Sequence, residues 1–494
     1  MSSSPLISAS STLDPSPADT VPITDIPGSY GLPFLGPIFD RHDYYYNQGE
    51  VQFFQSRKDK YQSTVFRSNM PPGPFMAGNS RVIVLLDNAS FPVLFDVSKV
   101  EKRDVFEGTY MASTKFTGGH RMCAFLDPSE PKHAALKGFF LSMLAKLKNK
   151  VIPQFTAVYS GLFTDLEEQV KVNGRSSFND LNDNRAVDYL FRLYCDGKSP
   201  AATKLGGAGN KSFDTWLVPQ LAPLMTLGIK WVPNFVEDLA LHTFPIPFCI
   251  VKSAYDKIYD SFYENMERVI LDDAEKAGVE REEAVHNVIF VIGFNSYGGF
   301  KVFFPALFKW VGAAGAGLHK QLASEVRRIV DQEGGLTAGA LEKMALTKSV
   351  VWEALRIEPP VAFQYGKAKR DLTVRSSDNK SYLIRKGEMI FGYQPFATRD
   401  ELVFQNAGEF VPDRFVGDEG RKLVRNVYWS NGRETDTPAV NDKQCPGKDF
   451  VVLLSRLLLA QFFLRYDTFT CDSEKFLLGS KVTFTSLTKA TSSK

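Results

Sequence analysis

One segment limits the fold more than any other. From about Lys448 to Arg465 the chain reads as a helix whose apolar residues (Phe450, Val451, Leu453, Leu454, Leu457, Leu458, Phe462) fall on nearly every side. A helix with one apolar stripe can lie on a surface, but one apolar all round must be enclosed by other elements. That demands a fold several layers deep, and 494 residues with 44% hydrophobic side chains supply it. From about Lys132 to Ile357 the helical period dominates. Phe262, Met266, Val269, Ile270 and Ala274 share one helical face, with Gly278 as a stop. Extended segments are expected at Ser63–Met70 and Arg81–Asp87, and again after Pro359-Pro360 at Tyr382–Ile384 and Met389–Tyr393. With no internal repeat, the reading is mainly α with a smaller β-rich part, one unit over residues 26–494.

The first 25 residues, rich in Ser, Thr and Pro, read as a disordered leader without the basic start and apolar run of a secretory signal. A plastid transit peptide carries Arg, whereas the first Arg here is Arg41 and Asp14, Asp19 and Asp25 intervene. The expected location is the cytoplasm or the periphery of a membrane, with plastid import left open. The longest apolar candidate, Val288 to Trp310, is interrupted by Asn295, Ser296, Gly298, Gly299, Lys301 and Pro305, so no membrane span is expected.

Charge excludes a further class. The 58 Lys+Arg and 56 Asp+Glu leave a formal charge of +2, which gives nucleic acid no electrostatic footing. Five scattered cysteines without a C-x-x-C pair argue against a disulfide framework or a cysteine zinc site. The 40 Phe fill a large core and also suit a pocket for a long apolar ligand.

Three motifs then stand in order. Glu353-Ala354-Leu355-Arg356 places a carboxylate and a guanidinium on one helical face, a pairing that alone is usually a solvated surface pair. Phe410-Val411-Pro412-Asp413-Arg414-Phe415 offers a second cation, which would need a carboxylate such as Glu353 if buried. Trp429-Ser430-Asn431-Gly432-Arg433 and Lys443-Gln444-Cys445-Pro446-Gly447-Lys448 lead straight into the enclosed helix. A lone cysteine is most often a small core hydrophobe, but Cys445 sits at a helix N-terminus between Lys443 and Lys448, where a thiolate would be stabilised and would suit haem iron as a ligand.

This ordered set resembles the cytochrome P-450 superfamily, and the resemblance covers the chain from about Ile26 to its end. It implies that Glu353, Arg356 and Arg414 form the triad that locks the haem loop, and that Cys445 ligates the iron of haem b. Two departures narrow the resemblance. Gly432 and Cys445 are thirteen positions apart, nine more than in an ordinary member. The stretch Gly293–Lys301, where oxygen-activating members carry an acid–Thr pair, has neither. Both departures resemble the plant fatty-acid hydroperoxide-metabolising branch: allene oxide synthases, hydroperoxide lyases and divinyl ether synthases. Pro71-Pro72-Gly73-Pro74-Phe75 and Asp127-Pro128-Ser129-Glu130-Pro131-Lys132-His133 match that branch as well.

The branch implies a substrate that brings its own O–O bond, so that neither dioxygen nor a reductase is needed. The bond breaks homolytically, the alkoxyl radical closes to an epoxide, and the resulting carbon radical is either oxidised to a cation, giving an allene oxide, or rebounds toward aldehydes. By resemblance, Asn295 holds the peroxide oxygens and Lys301 meets the substrate carboxylate, although a snorkelling surface lysine is an equal reading of Lys301. Lys102, His133 and Lys137 match haem-propionate partners, and Lys443 lies beside the thiolate loop. Phe106, Phe294 and Ser296 match the synthases better than the lyases, so allene oxide synthase is favoured, with lyase or divinyl ether synthase as alternatives. A reductase-dependent monooxygenase and a non-catalytic apolar-ligand or membrane-surface binder, suggested by His242–Val251, stay open. So do the carbon-nine or carbon-thirteen preference and the oligomeric state.

Overall fold

The computed structural model describes residues 22–491 except Glu107, Lys230 and Leu477. Most of the expected leader lies outside those residues, but the described chain starts earlier than Ile26: Ile23 and Thr24 pair in parallel with Ser381 and Tyr382.

The Lys448–Arg465 helix is enclosed as its composition requires. It packs on Pro131–Asn173, on Ala345–Ile357 and on the central helix. Leu457, Leu458, Leu459, Phe462 and Phe463 are wholly buried, each contributing about 1.5–3 kcal/mol of transfer free energy. Phe450 and Val451, one turn from Cys445, instead face a cavity.

The central helix runs Arg281–Glu333 and is long and apolar enough to cross a membrane, yet 61% of its most apolar window is buried within the fold. It is not regular throughout. Val291–Tyr297 is a π-helical turn, an insertion that re-aims side chains and recurs at functional sites. The π-turn ends at Gly298, which is itself regular (φ −58°), and a sharp break follows at Gly315 (φ 74°). Gly293 lets the turn approach its neighbours, because a Cβ there would come within 2.6 Å of the Trp216 ring.

The β-rich part is a five-stranded sheet in the order Val65–Asn69, Arg81–Leu85, Met389–Tyr393, Phe363–Ala368, Val100–Glu101. The first two strands pair antiparallel with Phe66 opposite Val84, and Val84 pairs in parallel with Phe391. This buried sheet packs aromatic residues such as Phe54, Phe391 and Tyr393 against one another. One expectation fails: the Phe262–Ala274 face is not one helix. Lys252–Asn265 ends, Met266 turns extended, and Arg268–Lys276 begins anew. The break is fixed from outside, since the Glu267 N–H donates to the Tyr194 carbonyl (3.0 Å) and Lys150 binds the Glu267 carboxylate (2.7 Å).

Candidate active site

The residues of the E-x-x-R motif are wholly buried, not a surface pair. Arg356 donates twice to Glu353, Nε to Oε2 and Nη2 to Oε1, both at 2.7 Å. Arg414 donates its Nε to the same carboxylate at 3.0 Å, and the Val411 N–H adds a fourth donor at 2.9 Å. The remaining guanidinium hydrogens go to main-chain carbonyls: Arg356 to Thr398, Ala407 and Glu409, Arg414 to Gln405 and Asn406. Two cations on one buried carboxylate are tolerable because every donor finds an acceptor. The result is a rigid clasp on the segment 398–415.

The loop from Trp429 to Gly447 brings Cys445 to the wall of a cavity of about 280 Å3. The Cys445 N–H donates to the Ser430 carbonyl (2.8 Å). Gly432 admits Gln444 close by, since a Cβ would sit 2.7 Å from its amide; that amide donates to the Arg433 carbonyl (2.7 Å). The nine additional residues are anchored at both ends. Glu434 receives the indole N–H groups of Trp429 (2.6 Å) and Trp352 (2.9 Å), and Asp442 accepts from Lys137 (2.7 Å).

The flanking lysines bond to main-chain carbonyls, and of the two only Lys448 counters the burial of the Cys445 thiol. Lys443 turns to the carbonyls of Ala124 (2.7 Å) and Leu126 (2.8 Å), and Lys448 to that of Glu434 (2.8 Å). Burial pushes the Cys445 thiol up, opposed by the Gly447 N–H, Lys137 and Lys448. A coordinated metal would oppose that effect of burial, because a coordinating thiol loses its proton outright.

Around the cavity stand Lys102, His133, Lys137, Phe106, Phe294, Asn295, Ser296 and Lys443, together with Cys445. Sequence-distant positions are therefore assembled in one place. Lys102 is buried with only amide oxygens as acceptors, Gln364 (2.9 Å) and Asn431, and burial with the Lys443 charge holds its pKa well below the usual lysine range. His133 leaves Nδ1 buried without a partner. Excess buried positive charge beside an orphan imidazole nitrogen fits the two carboxylates of a haem, and a free cysteine sulfur in the same cavity fits its iron. In the apolar wall, Asn295 projects from the π-turn with Oδ1 buried and unpartnered. Phe294 stacks on Phe290 (4.9 Å, 9°), and Phe106 meets Phe294 edge-on at 5.4 Å.

Lys301 is the exception. It does not line the cavity; its ammonium is tied to Asp183 and, at 3.2 Å, to Asp214. It is 9% exposed, so neither a substrate-carboxylate contact nor a surface lysine describes it. Gln364, Asn431, Asp442 and Glu434 were not singled out in the sequence. Asn431 and Glu434 lie in or beside the Trp429–Arg433 motif and could have been suspected; Gln364 carries no local signal.

A buried Glu–Arg–Arg clasp, together with a cysteine loop that opens on a cavity with unbalanced cations, marks a haem-thiolate protein of the cytochrome P450 fold. The cytochrome P450 family model matches residues 317–489. The chain is 56% identical over 473 residues to allene oxide synthase 3 of Solanum lycopersicum, covering 96% of each. It is 50% identical over 471 residues to the chloroplastic allene oxide synthase of Arabidopsis thaliana (95% of this chain, 90% of the relative). A divinyl ether synthase of Solanum lycopersicum is 48% identical over 472 residues (95% and 98%). The chain belongs to the cytochrome P450 family, in the branch that holds the allene oxide synthases, and its cofactor is haem with thiolate iron ligation.

Proposed function

We propose that this chain is an allene oxide synthase that dehydrates polyunsaturated fatty-acid hydroperoxides, with Cys445 as the iron ligand. The carrying observation is the unpartnered Oδ1 of Asn295, a lone amide acceptor in an aromatic wall of the cavity that also contains Cys445. Bound haem, held by Cys445, would supply one-electron redox chemistry at the substrate's O–O bond. Asn295 Oδ1 accepts the hydroperoxide O–H and its Nδ2 donates to a peroxide oxygen, which fixes the reacting atoms. Phe106, Phe290 and Phe294 exclude water, and a ring face, whose quadrupole is negative, suits an electron-poor carbon. The net change is loss of one water, so no external electron or dioxygen enters.

Lys102, His133, Lys137 and Lys443 are assigned to the haem propionates, directly or by neutralising charge, and Glu353, Arg356 and Arg414 to fixing the thiolate loop. Ser296, beside Asn295, is assigned to the same wall. The substrate class follows the relatives: allene oxide synthases from three plants are 50–56% identical to this chain. The divinyl ether synthase relative supports a second reading with the same initial cleavage. Product analysis with the 9- and 13-hydroperoxides of linoleic and linolenic acid decides: ketols support the synthase, and short aldehydes or divinyl ethers replace it.

We also propose peripheral membrane contact. The exposed Phe34, Ile38 and Phe39 and the exposed Phe235, Leu239 and Phe244 belong to segments joined by the Arg41–Asp238 pair (2.6 Å) and the Tyr45–His242 stack (4.0 Å). Co-sedimentation with lipid vesicles tests it, and loss of binding in Phe39→Ser and Phe235→Ser is expected. Some relatives are named chloroplastic, which leaves a plastid location open for this chain.

A further inference from the structure

Away from the haem cavity, two histidines and a glutamate converge where a loop meets the start of the central helix. Gly118 (φ 64°) and Gly119 (φ 90°) turn the chain tightly, and the His120 N–H closes the turn on the Thr117 carbonyl (3.2 Å). Glu282 and His286 sit four apart on Arg281–Phe290, hence on one helical face. Ligand atoms of His120, Glu282 and His286 lie within 4.8 Å of one another, the only such trio among the described residues.

The imidazole of His286 is oriented as a metal-binding histidine is. Its Nδ1 is engaged by the Tyr255 hydroxyl at 2.6 Å, and its ring is stacked on Tyr259 (4.4 Å, 18°). With Nδ1–H donating to the hydroxyl oxygen, the other ring nitrogen is free to bind a metal. That other atom, Nε2, lies 3.9 Å from Glu282 Oε1, and the His120 ring is 5.4 Å from that of His286. Tetrahedral zinc with two nitrogens and a carboxylate oxygen spaces its donors by about 3.3 Å, within reach of small side-chain rotations here. Glu283 is not needed as a ligand, because Lys132 holds it at 2.6 Å.

We propose that His120, Glu282 and His286 form a binding site for a divalent transition-metal ion of the zinc class, with water as the fourth ligand. The ion clamps the double-glycine turn to the central helix. Asn287, the residue after His286, accepts from the Cys123 N–H at 3.1 Å, and both Asn287 and Cys123 line the haem cavity. The clamp therefore acts one residue away from the cavity wall.

The test is equilibrium dialysis of the haem-loaded full chain against Zn2+, after chelator treatment. One zinc per chain is expected beyond the haem iron, with a rise in the thermal midpoint. His120→Ala and Glu282→Gln, both at accessible side chains, are expected to weaken binding at least about tenfold and to abolish that rise. Tyr255→Phe is expected to cost about tenfold through the lost orienting bond. His42→Ala serves as control and binds as the wild type does. An unchanged Soret band shows that a variant is folded; should His120→Ala lose it, Glu282→Gln decides alone. Failure to bind zinc saturably, or binding that the ligand substitutions leave intact, overturns the site.

Discussion

Lys102 and Lys443 place two ammonium groups at one end of the cavity, and among the described residues neither has a carboxylate within ion-pair distance. Buried charge without a counter-charge is costly, so the arrangement makes sense only with an anionic group beside it. Lys443→Met is expected to speed haem loss by about tenfold, equivalent to about 1.4 kcal/mol, measured by transfer to apomyoglobin.

The His133 imidazole carries the same signature in its pH response. Burial, reinforced by Lys443 and Lys137, pushes its pKa down from 6.5 to about 4. Between those values the unfolded chain binds the proton and the folded one does not. Stability of the haem-free protein therefore falls as pH drops from 6.5 to 4 and is unaffected by this group above 6.5. Urea unfolding across that window should show a shallower pH slope in His133→Phe.

Replacing Glu353 by Gln leaves Arg356 and Arg414 buried against a neutral amide. The expected cost is about 3–5 kcal/mol, seen as a lower unfolding midpoint and poor haem incorporation. Arg414→Lys should lie between the two, since one ammonium cannot serve both the carboxylate and the loop carbonyls.

The clasp and the sulfur were legible through the order of three motifs that resembles a known family; the Glu353-to-Arg356 spacing alone reads as a surface pair, and Arg414 stands 61 positions from its carboxylate. The Lys448–Arg465 helix was legible to the residue because an all-round apolar pattern has one solution. What escaped depends on remote partners. Nothing near Lys301 announces Asp183 and Asp214, and nothing near Glu267 announces the Tyr194 carbonyl that splits its helix. In the π-turn under Asn295, Gly293 packs on Trp216 and Phe213, contacts no local pattern encodes.

Asn295→Leu keeps the side-chain volume but removes the amide from the cavity wall. A loss of about a hundredfold in kcat, or roughly 2.7 kcal/mol, is expected with the Soret spectrum retained. Phe106→Leu should leave hydroperoxide consumption near the wild-type rate and move products from ketols toward aldehydes. An unchanged product ratio would remove the ring from the account.

The most direct measurement compares the wild type with Cys445→Ser, each incubated with a fatty-acid hydroperoxide under nitrogen and without NADPH or reductase. The wild type is expected to consume the substrate completely while Cys445→Ser leaves it intact. Consumption by Cys445→Ser at the wild-type rate, or a wild type that stays idle until NADPH and dioxygen are supplied, would contradict the account.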